Sequence, residues 1–172
     1  MSLLSQVLRI CDEKPKNDRL TLISRLLNSN KDEVFDPDER VDGGYPLLLY
    51  LINDEYVEVI EYILENSKCL DLNAKVFSIC GILEHAILWD KYECAKLFLK
   101  HNTNNIDVKN CYGYTLLHDV AEKNNKRMVE LLLSYNADTS IKSKSDRLAS
   151  DLAIGEIKRL ILEHQDLPSY SV

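Results

Sequence analysis

Between Asn110 and Lys142 the apolar positions fall into two stripes separated by a pair of asparagines. Leu116, Leu117, Val120 and Ala121 recur at the three- and four-residue spacing of one helical face, which predicts a helix over 115–123. Met128, Val129, Leu131, Leu132 and Leu133 predict a second over 126–135. Asn124-Asn125 separates the two, Asn136-Ala137-Asp138 stops the second, and an extended turn around Gly113 precedes the first. The unit is a turn, a helix, a tight turn and a helix.

That unit repeats. Asp146 to Ala153 follows the Gly113 to Val120 stretch with Asp146 placed 33 residues after Gly113. Ile82 to Ile87 matches the helix opening 34 residues earlier, and Ala95 to Leu99 matches Val129 to Leu133 at the same offset. Further back, Pro46-Leu47-Leu48-Leu49 opens a first helix and Val59 to Leu64 forms the second. A period of 33 to 36 residues over four units marks an array of helix-turn-helix repeats. Residues 1–40 lack the pattern but read as two amphipathic helices, carried by Leu3, Leu4, Val7, Leu8 and Cys11, then by Leu20, Leu22, Ile23, Leu26 and Leu27. Asp18 sits where it can cap the second. An atypical first unit with a polar outer face is what a repeat array needs at its end.

Gly113-x-Thr115-Leu116-Leu117-His118-x-x-Ala121, followed by Val129-x-x-Leu132-Leu133-x-x-x-Ala137-Asp138, resembles the ankyrin repeat. The match is gapless over 110–142. The neighbouring units are degenerate but in register: Ile79 stands in the slot of the finger glycine, and Ile157 follows Met128 by only 29 residues, so the last unit is short of a helical turn. The resemblance implies an all-α ankyrin-repeat solenoid of about five helix-turn-helix units. One domain is expected over 1–165, with an N-terminal cap unit at 1–40, repeats at 41–73, 74–107 and 108–142, and a C-terminal cap unit at 143–165. Residues 166–172 are expected to form a flexible tail.

Composition agrees with a helical chain and adds one puzzle. Five Gly and four Pro among 172 residues are about 5%, where roughly 12% is usual, too few for the turns of a sandwich or barrel. The ankyrin pattern wants glycine where a helix ends through positive φ; here those slots hold Asn124, Asn136, Asn102, Asp90 and Asp54, the residue types that best tolerate that conformation.

A formal charge of −7 argues against nucleic-acid and anionic-membrane partners, which need a basic face. No apolar run spans a membrane, and residues 1–9 do not read as a signal peptide. Five scattered cysteines (Cys11, Cys69, Cys80, Cys94, Cys111) without a CxxC pair read as reduced thiols of a cytoplasmic protein.

Candidate chemistry is sparse. In the ankyrin motif the histidine matching His118 is structural, tying the turn to the helix start, and His85, one position off the equivalent slot, receives the same reading. Cys111, His118, Cys80 and His85 lack zinc-site spacing, so no metal is expected. Neither a nucleophile with its base nor a phosphate loop is marked, so no enzyme activity, cofactor or small-molecule substrate is expected. A cysteine-dependent enzyme is the distant alternative. The acidic run 32–39 reads as a solvated loop ahead of a docking site for a basic partner.

Ankyrin repeats bind proteins through finger tips and the inner face of the first helix. The resemblance therefore places partner-binding positions at Lys109, Cys111, Tyr112, Tyr114, Glu122 and Lys123, and one repeat earlier at Phe77, Ser78, Cys80, Leu88 and Trp89. In the first clear unit Asp42, Ile52 and Asn53 fall there, with the register open by one residue. Tyr112 and Tyr114 flank a glycine in a turn, where a core role is hard to build, whereas Trp89 or Phe77 could instead plug the gap between repeats. Lys, Asn, Ile and Tyr supply 49 of the 172 residues, a bias of A/T-rich codons that points to a large DNA virus, an intracellular bacterium or a protist. The expected function is non-catalytic protein binding by a stand-alone module that intercepts a host factor in the host cytosol. The alternative is an intracellular scaffold or an inhibitory subunit of a kinase or transcription factor. No F-box-like segment supports a ubiquitin-ligase adaptor.

Overall fold

Both stripes of the 110–142 segment become helices, and the same hairpin recurs along the chain. The computed structural model describes residues 3–14, 18, 21–23, 25, 47–66, 75–76, 80–101 and 106–165. Among these, the elements are α1 (Leu3–Glu13), α2 (Leu47–Asn53), α3 (Val57–Asn66), β1 (Lys75–Val76), β2 (Cys80–Gly81), α4 (Ile82–Leu88), α5 (Tyr92–His101), α6 (Leu116–Glu122), α7 (Lys126–Ser134), α8 (Ala149–Leu152) and α9 (Gly155–Gln165). Two compact units divide the chain, Met1–His101 and Asn102–Val172.

In the first unit α2 pairs with α3 and α4 with α5, while α2 lies against α4 and α3 against α5. First helices thus stack on first helices and second on second. The stacking buries Leu48, Leu51, Ile52, Ile60, Ile63, Ile82, Ile87, Phe98 and Leu99. Each such side chain contributes about 1.5–3 kcal/mol when fully buried, so the stripes seen in the sequence are the main stabilising term. β1 and β2 form a two-residue antiparallel finger, with Lys75 opposite Gly81 and Val76 opposite Cys80. α1 is tied on by hydroxyls: Tyr50 donates to the Asp12 carboxylate, and Tyr56 to the Cys11 carbonyl at 3.4 Å. The bond to Asp12, backed by burial, holds the Tyr50 phenol above its ordinary pKa.

The second unit repeats the scheme, α6 with α7, α8 with α9, α6 against α8 and α7 against α9. α8 has only four residues because Gly155, at φ 55°, restarts the helix early; this is the missing turn expected from the 29-residue offset. At that offset Lys158, exposed, occupies the slot of fully buried Val129, which gives the terminal helix a polar outer face.

The helix ends explain the glycine shortage. Asn125 N–H bonds to Val120 C=O (2.9 Å) and Asn124 N–H to Ala121 C=O (3.0 Å), the paired bonds of a Schellman turn, with Asn124 at φ 56°. The same pair of bonds recurs with Asp90 at φ 58°, Asn136 at φ 59° and Glu55 at φ 55° in the left-handed position. Glu55, not Asp54, therefore takes that place in the first hairpin: Tyr56 N–H reaches Leu51 C=O at 2.9 Å and sets the register one residue later than expected. The equivalents of Leu88 and Trp89 are then Asn53 and Asp54, while Ile52, expected on the partner-facing side, is fully buried. Asp146 at φ 61° takes the place of Gly113. Asn102, the run 32–39, the tail 166–172 and Leu20, Leu26 and Leu27 lie outside the described residues; Ile23 of that second N-terminal stripe is helical and buried.

Candidate partner-binding surface

Two consecutive fingers of the second unit are built alike. Asn110 N–H bonds to Tyr114 C=O (2.8 Å), and the Asn110 side-chain oxygen accepts from Tyr112 N–H (2.9 Å) and Tyr114 N–H (3.0 Å). Thirty-three residues on, Ser143 N–H bonds to Arg147 C=O (2.9 Å) and the Ser143 hydroxyl accepts from Arg147 N–H (3.2 Å). Asn and Ser short side chains close turns this way because their oxygen reaches the backbone two to four residues on. Lys144 N–H donates to Tyr112 C=O (3.0 Å) and joins the fingers. Gly113 lies at this junction with φ 77°, and a Cβ there would come within 2.7 Å of Lys144 N. Only glycine fits.

His118 holds the same junction from below. Its Nδ1 accepts from Thr115 N–H (3.2 Å) and lies 2.9 Å from the Thr115 hydroxyl, so the ring proton sits on Nε2, which donates to Arg147 C=O (3.1 Å). Burial, followed by the nearby Lys109 and Arg147 charges, outweighs the bond to Arg147 and lowers the His118 pKa. In two other units a carboxylate does the helix-start job: Glu84 accepts from Gly81 N–H (2.6 Å), and Asp151 from Leu148 N–H (3.0 Å). His118 has the geometry of a structural residue.

Above His118 stacks Tyr114, ring centroids 5.2 Å apart, and Arg147 covers the Tyr114 ring at 5.5 Å while bonding its hydroxyl. Tyr114 is thus half-buried, engaged within the protein on two sides. Tyr112 points away, 71% exposed. Between the two fingers and α6 lies a groove of about 490 Å³, with Tyr112, Tyr114, Lys144 and Arg147 on the finger side and Asp119 and Glu122 on the helix side.

Of the positions expected to meet a partner, Tyr112, Tyr114 and Glu122 line this one groove. Lys109, Cys111 and Lys123 are exposed beside it, with the Lys109 ammonium donating to Lys142 C=O at 3.2 Å. Trp89, in the first unit, caps α4 and is 66% exposed against the His85 ring, so it does not plug a gap between repeats. His85 itself bridges hairpins through Asn53 Oδ1 (3.0 Å), and the Lys91 ammonium donates to Asn53 C=O (2.6 Å). Phe77 and Ser78 lie outside the described residues, as does the side chain of Cys80. Lys144 and Arg147 were absent from the expected set, although adding 33 to Cys111 and Tyr114 lands on them.

Burial pushes the Cys94 thiol up to about 12, which leaves it protonated and inert. Cys11 is buried as well, and Cys111 is exposed. Among the described residues no group of His, Cys, Asp and Glu is placed to hold a metal ion. No helix among them is long and apolar enough to cross a membrane.

The repeated hairpins and fingers agree with comparison to known proteins. The family model described as Ankyrin repeats (3 copies) matches residues 80–144. The chain carries ankyrin repeats. A fowlpox virus (strain NVSL) protein named for its ankyrin repeats, FPV034, is 31% identical over 123 residues, which are 72% of this chain and 28% of that protein. The chain therefore spans about a quarter of that viral relative's length. Two solved structures share the ankyrin fold. The ankyrin repeat domain of Bcl-3, of the IκB family, superposes with a TM-score of 0.69 at 23% identity over 86% of this chain and 64% of that one. The ankyrin repeat protein EF0377 gives 0.65 at 24% identity over 91% and 78%. Ankyrin repeats are in general protein–protein interaction modules.

Proposed function

We propose that the chain binds a partner protein without catalysis, through the groove between the fingers 108–115 and 141–148 and the inner face of α6. One observation carries this reading: Tyr112, Tyr114 and Glu122, chosen from the repeat pattern, line a single groove of about 490 Å³. Its fingers are held by main-chain bonds, so little ordering entropy is lost on association. Trp89 is a second anchor, on the first unit; large amphipathic rings on a rigid surface are favoured hot spots.

The 31% identity to a fowlpox protein supports a viral or pathogen protein that intercepts a host factor in the host cytosol. Bcl-3, at 23% identity, speaks for the fold alone; an intracellular scaffold or an inhibitory subunit of a kinase or transcription factor is the second reading. Affinity capture from host-cell lysate by the full chain, by Tyr112→Ala and by Trp89→Ala tests the surface. A partner captured by the unaltered chain and lost from Tyr112→Ala supports the groove. Undiminished capture by both variants removes it.

A further inference from the structure

The groove of the second unit has walls of opposite charge. Lys144 and Arg147 stand on the finger side, Asp119 and Glu122 on α6. Arg147 is held by Tyr114, but the Lys144 ammonium and the Glu122 carboxylate make no ion pair or side-chain hydrogen bond among the described residues. Charges nearby do find partners, Lys126 with Glu156 at 2.6 Å and Lys142 with Asp146 at 3.0 Å. The surroundings do not drown these two charges either. Through His101 the chain has 12 basic and 18 acidic residues, whereas beyond it there are 9 and 10, so the acidic excess lies in the first unit.

Resting on the groove as the binding surface, we infer that it accepts an extended segment of a partner protein carrying one acidic and one basic side chain on the same edge. The acidic side chain faces Lys144 and Arg147, and the basic one faces Glu122 and Asp119. Residues two apart in an extended chain share an edge at about 7 Å, so the pair is expected at i and i+2. A helix about 10 Å across would fit only about one turn into 490 Å³, which favours the extended form. Lys144 N–H and Tyr112 C=O, at the junction of the fingers, are spent on each other and do not pair with the segment. Side-chain charge therefore selects the segment, with the Tyr112 ring as the apolar contact between the two ends.

Panning a random linear peptide library on the full chain tests this directly. Enriched peptides should carry an acidic and a basic residue two apart. Glu122→Lys and Lys144→Glu should each weaken those peptides about tenfold. Enriched peptides that lack the charge pair, yet lose binding to Tyr112→Ala, overturn the inference and leave the groove as the binding surface. Peptides indifferent to Tyr112→Ala, Glu122→Lys and Lys144→Glu alike, or a library yielding no binder that depends on these residues, overturn both.

Discussion

The imidazole of His118 donates to the carbonyl oxygen of Arg147, 29 residues further along the chain, at 3.1 Å. One side chain therefore satisfies the start of its own helix through Thr115 and the finger of the following repeat through Arg147. The bond to Arg147 needs a proton on Nε2 and the bond from Thr115 N–H needs a bare Nδ1, so only the neutral ring makes both.

Protonation must break this arrangement, because an Nδ1 proton would face Thr115 N–H. The folded pKa lies below the ordinary 6.5, so the unfolded chain takes up the proton first as pH falls. The stability contributed by neutral His118 is present above about 6.5 and is lost as pH falls toward and through the lower folded value. Urea unfolding at pH 7.5 and pH 5, compared between the natural chain and His118→Gln, reads this out. The stability difference should shrink at the lower pH; a constant difference contradicts it. His85, also lowered by burial and by Lys91, is present in both proteins and cancels.

Gly113→Ala should be costly out of proportion to one methyl group. The residue would be placed in the left-handed region with its Cβ 2.7 Å from Lys144 N. Destabilisation of about 2–4 kcal/mol is expected, from backbone strain plus displacement of the next finger. A shift in the urea midpoint no larger than that of Gly81→Ala, whose added Cβ meets only the Glu84 carboxylate at 4.0 Å, would refute the account.

Glu55 offers the opposite lesson. It is the least suited of the residues at Schellman positions, since Asp90, Asn124 and Asn136 tolerate φ near 60° better than a longer side chain does. Glu55→Asn should stabilise by about 0.5–1 kcal/mol, and a melting temperature unchanged or lowered by that substitution would show that the turn is not strained.

Thiol reactivity separates Cys111 from Cys94. Cys111 is exposed in the finger, whereas Cys94 is buried with its thiol pushed up to about 12. Cys111→Ser should remove one fast-labelling equivalent from the native protein, and Cys94→Ser none. Equal loss from both would mean that the α4–α5 hairpin opens on the labelling timescale.

How far the sequence reaches is visible in particular residues. The Leu and Val stripes of α6 and α7 declare their helices because burial follows the 3.6-residue period, and Tyr112 declares its exposure by standing next to a turn glycine. Glu55 escaped although Gly44-Tyr45-Pro46-Leu47 stands 69 residues before Gly113-Tyr114-Thr115-Leu116, the same offset that separates Glu55 from Asn124; in the structure one main-chain bond, Tyr56 to Leu51, fixes that register. Trp89 was ambiguous since an aromatic residue at a helix end can turn inward or outward. Tyr114 looked as free as Tyr112. Its stacking on His118 under Arg147 depends on a residue 33 positions away, and only the folded pairing of fingers brings that residue over the ring.

The bond from Lys144 N–H to Tyr112 C=O is formed by backbone atoms, so the finger junction is indifferent to the side chains at 112 and 144. Cys111, Tyr112, Lys144 and Ser145 can therefore drift under selection while Gly113 and His118 keep the scaffold. A lineage could retarget such a surface by a few substitutions, each tolerated alone, without passing through an unfolded ancestor.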